Sequence, residues 1–215
     1  MLFRTLLLLP VGALVAACAT TQPKPPETPP PTEYLVRKPA FSACELDAFI
    51  SLGAARNAVL FHDTRESLLA VKGNSAFQIG MINELFDRMR DQGLRDYPMF
   101  AAEKFYQCAE RKTLPVTKNM NGAAICFARQ DIVFFLNARK TQGRSQAEAT
   151  AMVKKMFLGA PAGTYPEALI EQTAPMVYRA SSDEDFYEVR RLAFETCLFP
   201  EDWKAWWNSS HPEVH

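Results

Sequence analysis

Apolar residues recur every three to four positions through most of the chain beyond residue 40. Phe77, Met81, Leu85 and Met89 step by four, and Phe186, Val189 and Ala193 hold one face in the same way. That is the period of an amphipathic helix. The starts of the helices are also written in the sequence. Ser42/Glu45, Ser75/Gln78, Ser145/Glu148, Thr164/Glu167 and Ser181/Glu184 each place a hydroxyl three residues before an acid or amide, and Asp63 with Glu66 is a looser version. Such a pair satisfies two orphan backbone donors at a helix N-terminus reciprocally. The pattern predicts helices over 42–61, 64–72, 75–92 and 98–111. A second set is predicted over 121–140, 145–158, 164–179 and 182–198, with Lys112 to Asn121 as connector. Pro98 suits a first helical turn, and Pro175 is expected to kink or shorten its helix. The β-branched and aromatic run Ile132-Val133-Phe134-Phe135-Leu136 lies inside a longer helical span and reads as buried helix.

The two sets look like one four-helix unit repeated. Each has a cysteine near the start of its first helix, Cys44 or Cys126, and another near the end of its fourth, Cys108 or Cys197. Arg65 and Arg144 follow the first helix of each set, and Arg90 and Arg179 close the third. Self-similarity of this kind fixes architecture better than a single motif does. The expected fold is all-α: two tandem four-helix units, each closed by one disulfide, plus a short C-terminal helix.

The chain has five cysteines, an awkward number for an exported protein. One of them has another use. Arg4, then the apolar residues Leu6–Leu9 and Val11–Val15, then Ala16 and Ala17 make a charged start, a short apolar core and a small-residue exit. The apolar core is too short to span a bilayer, which takes about 20 apolar residues, so residues 1–17 read as a secretion signal. Val15-Ala16-Ala17-Cys18 resembles the lipobox of bacterial lipoproteins. That resemblance implies an acylated Cys18 as mature N-terminus, with palmitate among the acyl chains. Ala19 in place of an aspartate implies sorting to the outer membrane, facing the periplasm. An ordinary signal peptidase site is the alternative, since Ala17-Cys18-Ala19 fits that pattern too. With Cys18 acylated, four cysteines remain for two disulfides in an oxidising compartment. Three pairings are possible, and the repeat argues for Cys44–Cys108 with Cys126–Cys197.

Residues 18–39 contain seven prolines. They are expected to form an extended polyproline tether, with Tyr34-Leu35-Val36 as the point at which it could dock on the body. The remaining boundaries are unit 1 over 40–112, unit 2 over 113–199, and a tail over 200–215. In that tail Trp203, Trp206 and Trp207 share one helix face. They are either packed on the bundle or left as a partner contact, a use to which tryptophan is well suited.

Charge narrows the function classes. Acidic and basic residues are equal in number, 24 each, and removal of Arg4 leaves the mature chain at about −1. No block of five like charges exists, which argues against nucleic acid. No phosphate-cradling glycine loop is present, so no nucleotide is expected, and no other cofactor is implied. The three histidines, His62, His211 and His215, and the cysteine spacing give no metal motif. Glu66-Ser67 followed by Phe77-Gln78-Ile79-Gly80 is similar to lysozyme-like lytic transglycosylases, in which the glutamate is the general acid. Here Gln78-Ile79 precedes the glycine, and Glu66 stands closer to Gln78 than in that family. The favoured expectation is a non-catalytic outer-membrane lipoprotein that binds or stabilises another envelope protein. In architecture, lipid anchor, tether, helices and staple, it resembles the pilotins that escort secretins. A peptidoglycan-cleaving enzyme built on Glu66, or a carrier of a small apolar ligand between Phe-rich helices, are the alternatives.

Overall fold

The computed structural model describes residues 29–94, 96–116, 119–157, 167–182, 185–186 and 196–210. Among the described residues eight helices have defined bounds: α1 (Thr32–Leu60), α2 (Arg65–Leu69), α3 (Ala76–Gln92), α4 (Tyr97–Arg111), α5 (Met120–Thr141), α6 (Gln146–Met156), α7 (Glu167–Arg179) and α8 (Glu201–Ser210). Residues 185–186 and 196–198 are also helical. No strand occurs among the described residues, and the protein is all-α as expected.

The caps show why the helices begin where they do. Ser75/Gln78 and Ser145/Glu148 form complete capping boxes at α3 and α6. At α2 the cap is Thr64, which accepts from the Ser67 amide, instead of Asp63. Ser182 with Asp185 makes the reciprocal bonds expected of Ser181 with Glu184, one residue further on. Ser42 and Glu45 cap nothing, because they lie well inside α1. Thr164 lies outside the described residues. α3 ends at Gly93, whose backbone is left-handed, with φ 63°. That conformation suits the residue without a Cβ.

The largest departure from expectation is the start of α1. Residues 32–39, expected as tether, are helical, and Pro39 sits inside the helix. An interior proline forfeits one main-chain bond and costs about 3 kcal/mol. Tertiary contacts outweigh that loss. The Tyr34 ring meets Phe199, Trp203 and Trp206 at 5.9, 5.1 and 4.7 Å. Arg37 pairs with Glu33 at 3.0 Å and donates to the Thr113 carbonyl. Lys38 lies 4.8 Å over the Phe199 ring. Of the docking point expected at Tyr34-Leu35-Val36, Tyr34 packs on the body, as helix, while Leu35 and Val36 stay 61% and 73% exposed.

α1 lies along α4, and α4 along α5. The inward stripe of α1 is rich in alanine, with Ala48, Ala55 and Ala58 beside Phe41, Cys44 and Leu52, and Ala101 and Ala102 are buried on α4. Small side chains let two helix axes approach closely. α3 joins α4 through charge: Arg88 bonds Glu84 at 2.8 Å and also Glu103, and buried Lys104 bonds Glu84. In the second half α5 packs on α7 and α6 on α7, as α1 packs on α3 and α2 on α3 in the first.

Both disulfides form as the repeat predicts. Cys44–Cys108 and Cys126–Cys197 have Cα separations of 5.4 and 5.7 Å. They join cysteines 64 and 71 residues apart. Each is worth about 4 kcal/mol on a chain-entropy estimate. The halves do not stand apart, however. Phe41 meets Phe105 at 5.3 Å, Phe105 meets Phe127 at 6.3 Å, and Phe41 meets Trp203 at 5.4 Å. One core runs through both units.

Candidate functional site

The tryptophan stripe belongs to that core. Its i, i+3, i+4 spacing gives α8 a single apolar face, and the nearest apolar surface is the Tyr34, Phe41 and Phe199 cluster. Trp203 and Trp207 are buried and Trp206 is partly so. As a partner contact the stripe is corrected: two of its three rings have no open face.

Glu66 is exposed at the second position of α2. Its carboxylate faces solvent instead of an apolar groove, and Gln78 is occupied in the α3 capping box. Cys18 lies outside the described residues, as do His211 and His215. His62 is exposed just after α1, with a left-handed backbone (φ 58°). Among the described residues no three His, Cys, Asp or Glu side chains converge on a metal position.

What the fold does build is a cavity between α1 and α5, of about 370 Å³. Two residues seven apart on α1, Phe49 and Arg56, line one wall. Gln130, Phe134 and Asn137 line the other, and Phe186 completes it. Their i, i+4 and i+7 spacing puts all three on one face of α5. Asp131 also lines the cavity and centres a buried polar network. Asp131 is 1% exposed and accepts from Arg56 Nη1 at 2.7 Å and from the Tyr97 hydroxyl at 2.7 Å. A buried carboxylate requires such partners.

The same guanidinium lies 4.5 Å over the Phe134 ring and 5.8 Å from that of Phe135. Phe134, expected to be buried, is 49% exposed, and Phe61 at the end of α1 is 54% exposed. Phe61 meets Phe135 at 6.3 Å, and Phe135 is backed by Phe157 at 5.7 Å. The result is an open aromatic shelf on a rigid backing, beside a cavity that combines phenyl rings with two amides and a neutralised guanidinium. That chemistry can discriminate by shape and hydrogen bonding and not by net charge. Elsewhere on α5, burial pulls the Arg129 guanidinium below its ordinary pKa.

Sequence reasoning missed this site. The available signal was Arg129-Gln130-Asp131, three polar residues in the middle of the otherwise apolar stretch from Ala123 to Leu136. A buried aspartate implies a cation elsewhere, but the partner, Arg56, is 75 residues away. Comparison with protein-family models, with characterised proteins and with solved structures found no match.

Proposed function

We propose that this protein is a non-catalytic lipoprotein of the outer membrane, anchored through Cys18, whose helical body binds or stabilises another protein of the envelope. The role would be an accessory one of the pilotin kind. The observation that carries the interaction is the open shelf of Phe61 and Phe134. Two large rings left half in water, on a backing of buried rings, form the kind of surface that protein interfaces use. The lipobox-like Val15-Ala16-Ala17-Cys18 supports the anchor. The two disulfides support an oxidising compartment.

The test is site-specific photo-cross-linking in cells. A photoreactive residue at position 61 or 134 should trap one protein of defined mass, and one at exposed Lys155 on α6 should not. Identical products from all three positions, or none from 61 and 134, would remove the reading. The anchor is tested separately. Cys18→Ser should abolish incorporation of labelled palmitate and release the protein from the membrane fraction.

A further inference from the structure

Gln130 lines the cavity and is 2% exposed, yet its Oε1 accepts no hydrogen bond from the described residues. Buried side-chain acceptors in folded proteins nearly always have a partner, and an exception calls for a reason. Arg56, on the opposite wall, has the converse deficit. Its Nη1 is committed to Asp131, while its buried Nε donates to none of the described residues. Both residues line the cavity, and although neither atom is open to it as the side chains stand, a ligand that turns the Gln130 carboxamide and the Arg56 guanidinium toward itself meets one spare acceptor and one spare donor.

Its charge is already settled. Asp131 is met by Arg56 and by the Tyr97 hydroxyl. An anionic ligand would compete with Asp131 for the guanidinium, and a cationic one would compete with Arg56 for the carboxylate. Either would leave a buried charge poorly paired, which is strongly unfavourable. The remaining lining is largely phenyl, from Phe49, Phe134 and Phe186. The complementary ligand is neutral, has an apolar body, and offers an N–H together with a C=O.

A peptide amide beside an apolar side chain has those properties. The geometry points to a site that takes one large apolar side chain of a partner polypeptide. The flanking main-chain amides of that residue donate to Gln130 Oε1 and accept from Arg56 Nε. The cavity, about 370 Å³, lies at the small-ligand end of binding cavities. It suits one residue and not a folded element. Phe134 both lines the cavity and belongs to the shelf, so the inserted residue and its neighbours in sequence meet one continuous surface. The inference rests on the reading that the protein binds another envelope protein, and it names the chemistry of that contact.

The test uses the full lipidated protein in detergent micelles, with nitrogen-15 in glutamine and arginine side chains. Three probes are titrated and followed by NMR: N-acetyl-phenylalanine methylamide, its fully N-methylated analogue without any N–H, and toluene. The methylamide should saturably shift the Gln130 carboxamide and Arg56 Nε–H signals. The N–H-free analogue should bind at least about fivefold more weakly, the loss expected for one buried hydrogen bond. Gln130→Leu should weaken the methylamide by a similar factor and leave toluene within about twofold. No saturable shift with the methylamide would overturn the site. So would equal binding of all three probes, which would make the cavity a plain apolar hole suited to a small-molecule carrier. If the methylamide binds but cross-linking at 61 and 134 traps no protein, the proposed function fails and the cavity chemistry stands. The opposite pattern removes this site alone.

Discussion

α1 carries an aromatic cluster at each end, and the two are finished differently. At its N-terminal end Tyr34, Phe41, Phe199 and the three tryptophans enclose one another. Phe41, Phe199, Trp203 and Trp207 are buried, with Phe199 and Trp203 5.8 Å apart. At its C-terminal end Phe61, Phe134, Phe135 and Phe157 form a chain of similar contacts, but Phe61 and Phe134 stay half in water. The first cluster is sealed by a helix laid across it. The second is bordered by Arg56, whose guanidinium covers Phe134 while pairing with Asp131. Aromatic content alone therefore does not mark a binding surface. What sets the second cluster apart is that it is left unsealed beside a cavity whose polar groups are not all satisfied.

If the first cluster is core and the second is surface, truncation should separate them sharply. Trp203 is a fully buried indole. Trp203→Ala should cost about 3–5 kcal/mol, read as a lower denaturant midpoint. A loss below about 1 kcal/mol, within the range of surface substitutions, would return the tryptophan stripe to candidate interface. Arg56→Leu comes next. It takes the guanidinium away from the buried Asp131 carboxylate and leaves the Tyr97 hydroxyl, at 2.7 Å, in place. Stranding a buried charge in this way should cost about 3 kcal/mol. Tryptophan emission should remain native until global unfolding, because the damage lies at the other end of α1.

Much of this is legible in the sequence, for local reasons. Helix period, capping residues and the paired cysteine positions are set by neighbours in sequence, and α3, α4, α5 and α6 fall close to their expected bounds. The disulfide pairing follows from the repeat of Cys44 and Cys108 in Cys126 and Cys197. The local misreadings are small, such as the α2 cap at Thr64 one residue after Asp63, and the large failures are long-range. Pro39 and its neighbours read as tether because the rings that hold them in a helix, Phe199 and Trp203, come from the far end of the chain. Phe134 reads as buried because its run is apolar on every side, and only the placement of α1 decides which ring stays in water. The cavity is invisible for the same reason, since its two walls come from different repeats.

A milder test of the open cluster is Phe134→Ala. The ring is half-exposed and its main specific contact is the Arg56 guanidinium at 4.5 Å. Its removal should cost no more than about 1 kcal/mol, while cross-linking through position 61 should drop severely. A stability loss as large as that of Trp203→Ala would place Phe134 in the core after all, and the contrast between the two ends of α1 would collapse.

The smallest expected effect separates the two clusters by acid. Phe157, which backs the open cluster, caps the C-terminus of α6, and α6 begins at the Ser145/Glu148 box. The Glu148 carboxyl is held below the usual carboxylate range, chiefly by the Ser145 backbone N–H at 2.9 Å and then by the Ser145 hydroxyl. A folded-state pKa below the unfolded one gives stabilisation that is complete above the unfolded value, about 4 for glutamate. That stabilisation is lost as pH falls through the lowered folded value. Below about pH 4 the α6 cap should therefore weaken, and the support of the open cluster with it. α8, whose described contacts are apolar rings, should change less. Hydrogen exchange, corrected for the intrinsic effect of pH, should show protection falling in residues 146–156 before residues 201–210. Glu148→Gln keeps a side-chain acceptor for the Ser145 amide but removes the titration. In that variant the early loss in α6 should disappear, and its persistence would mean that something other than this cap controls the open end.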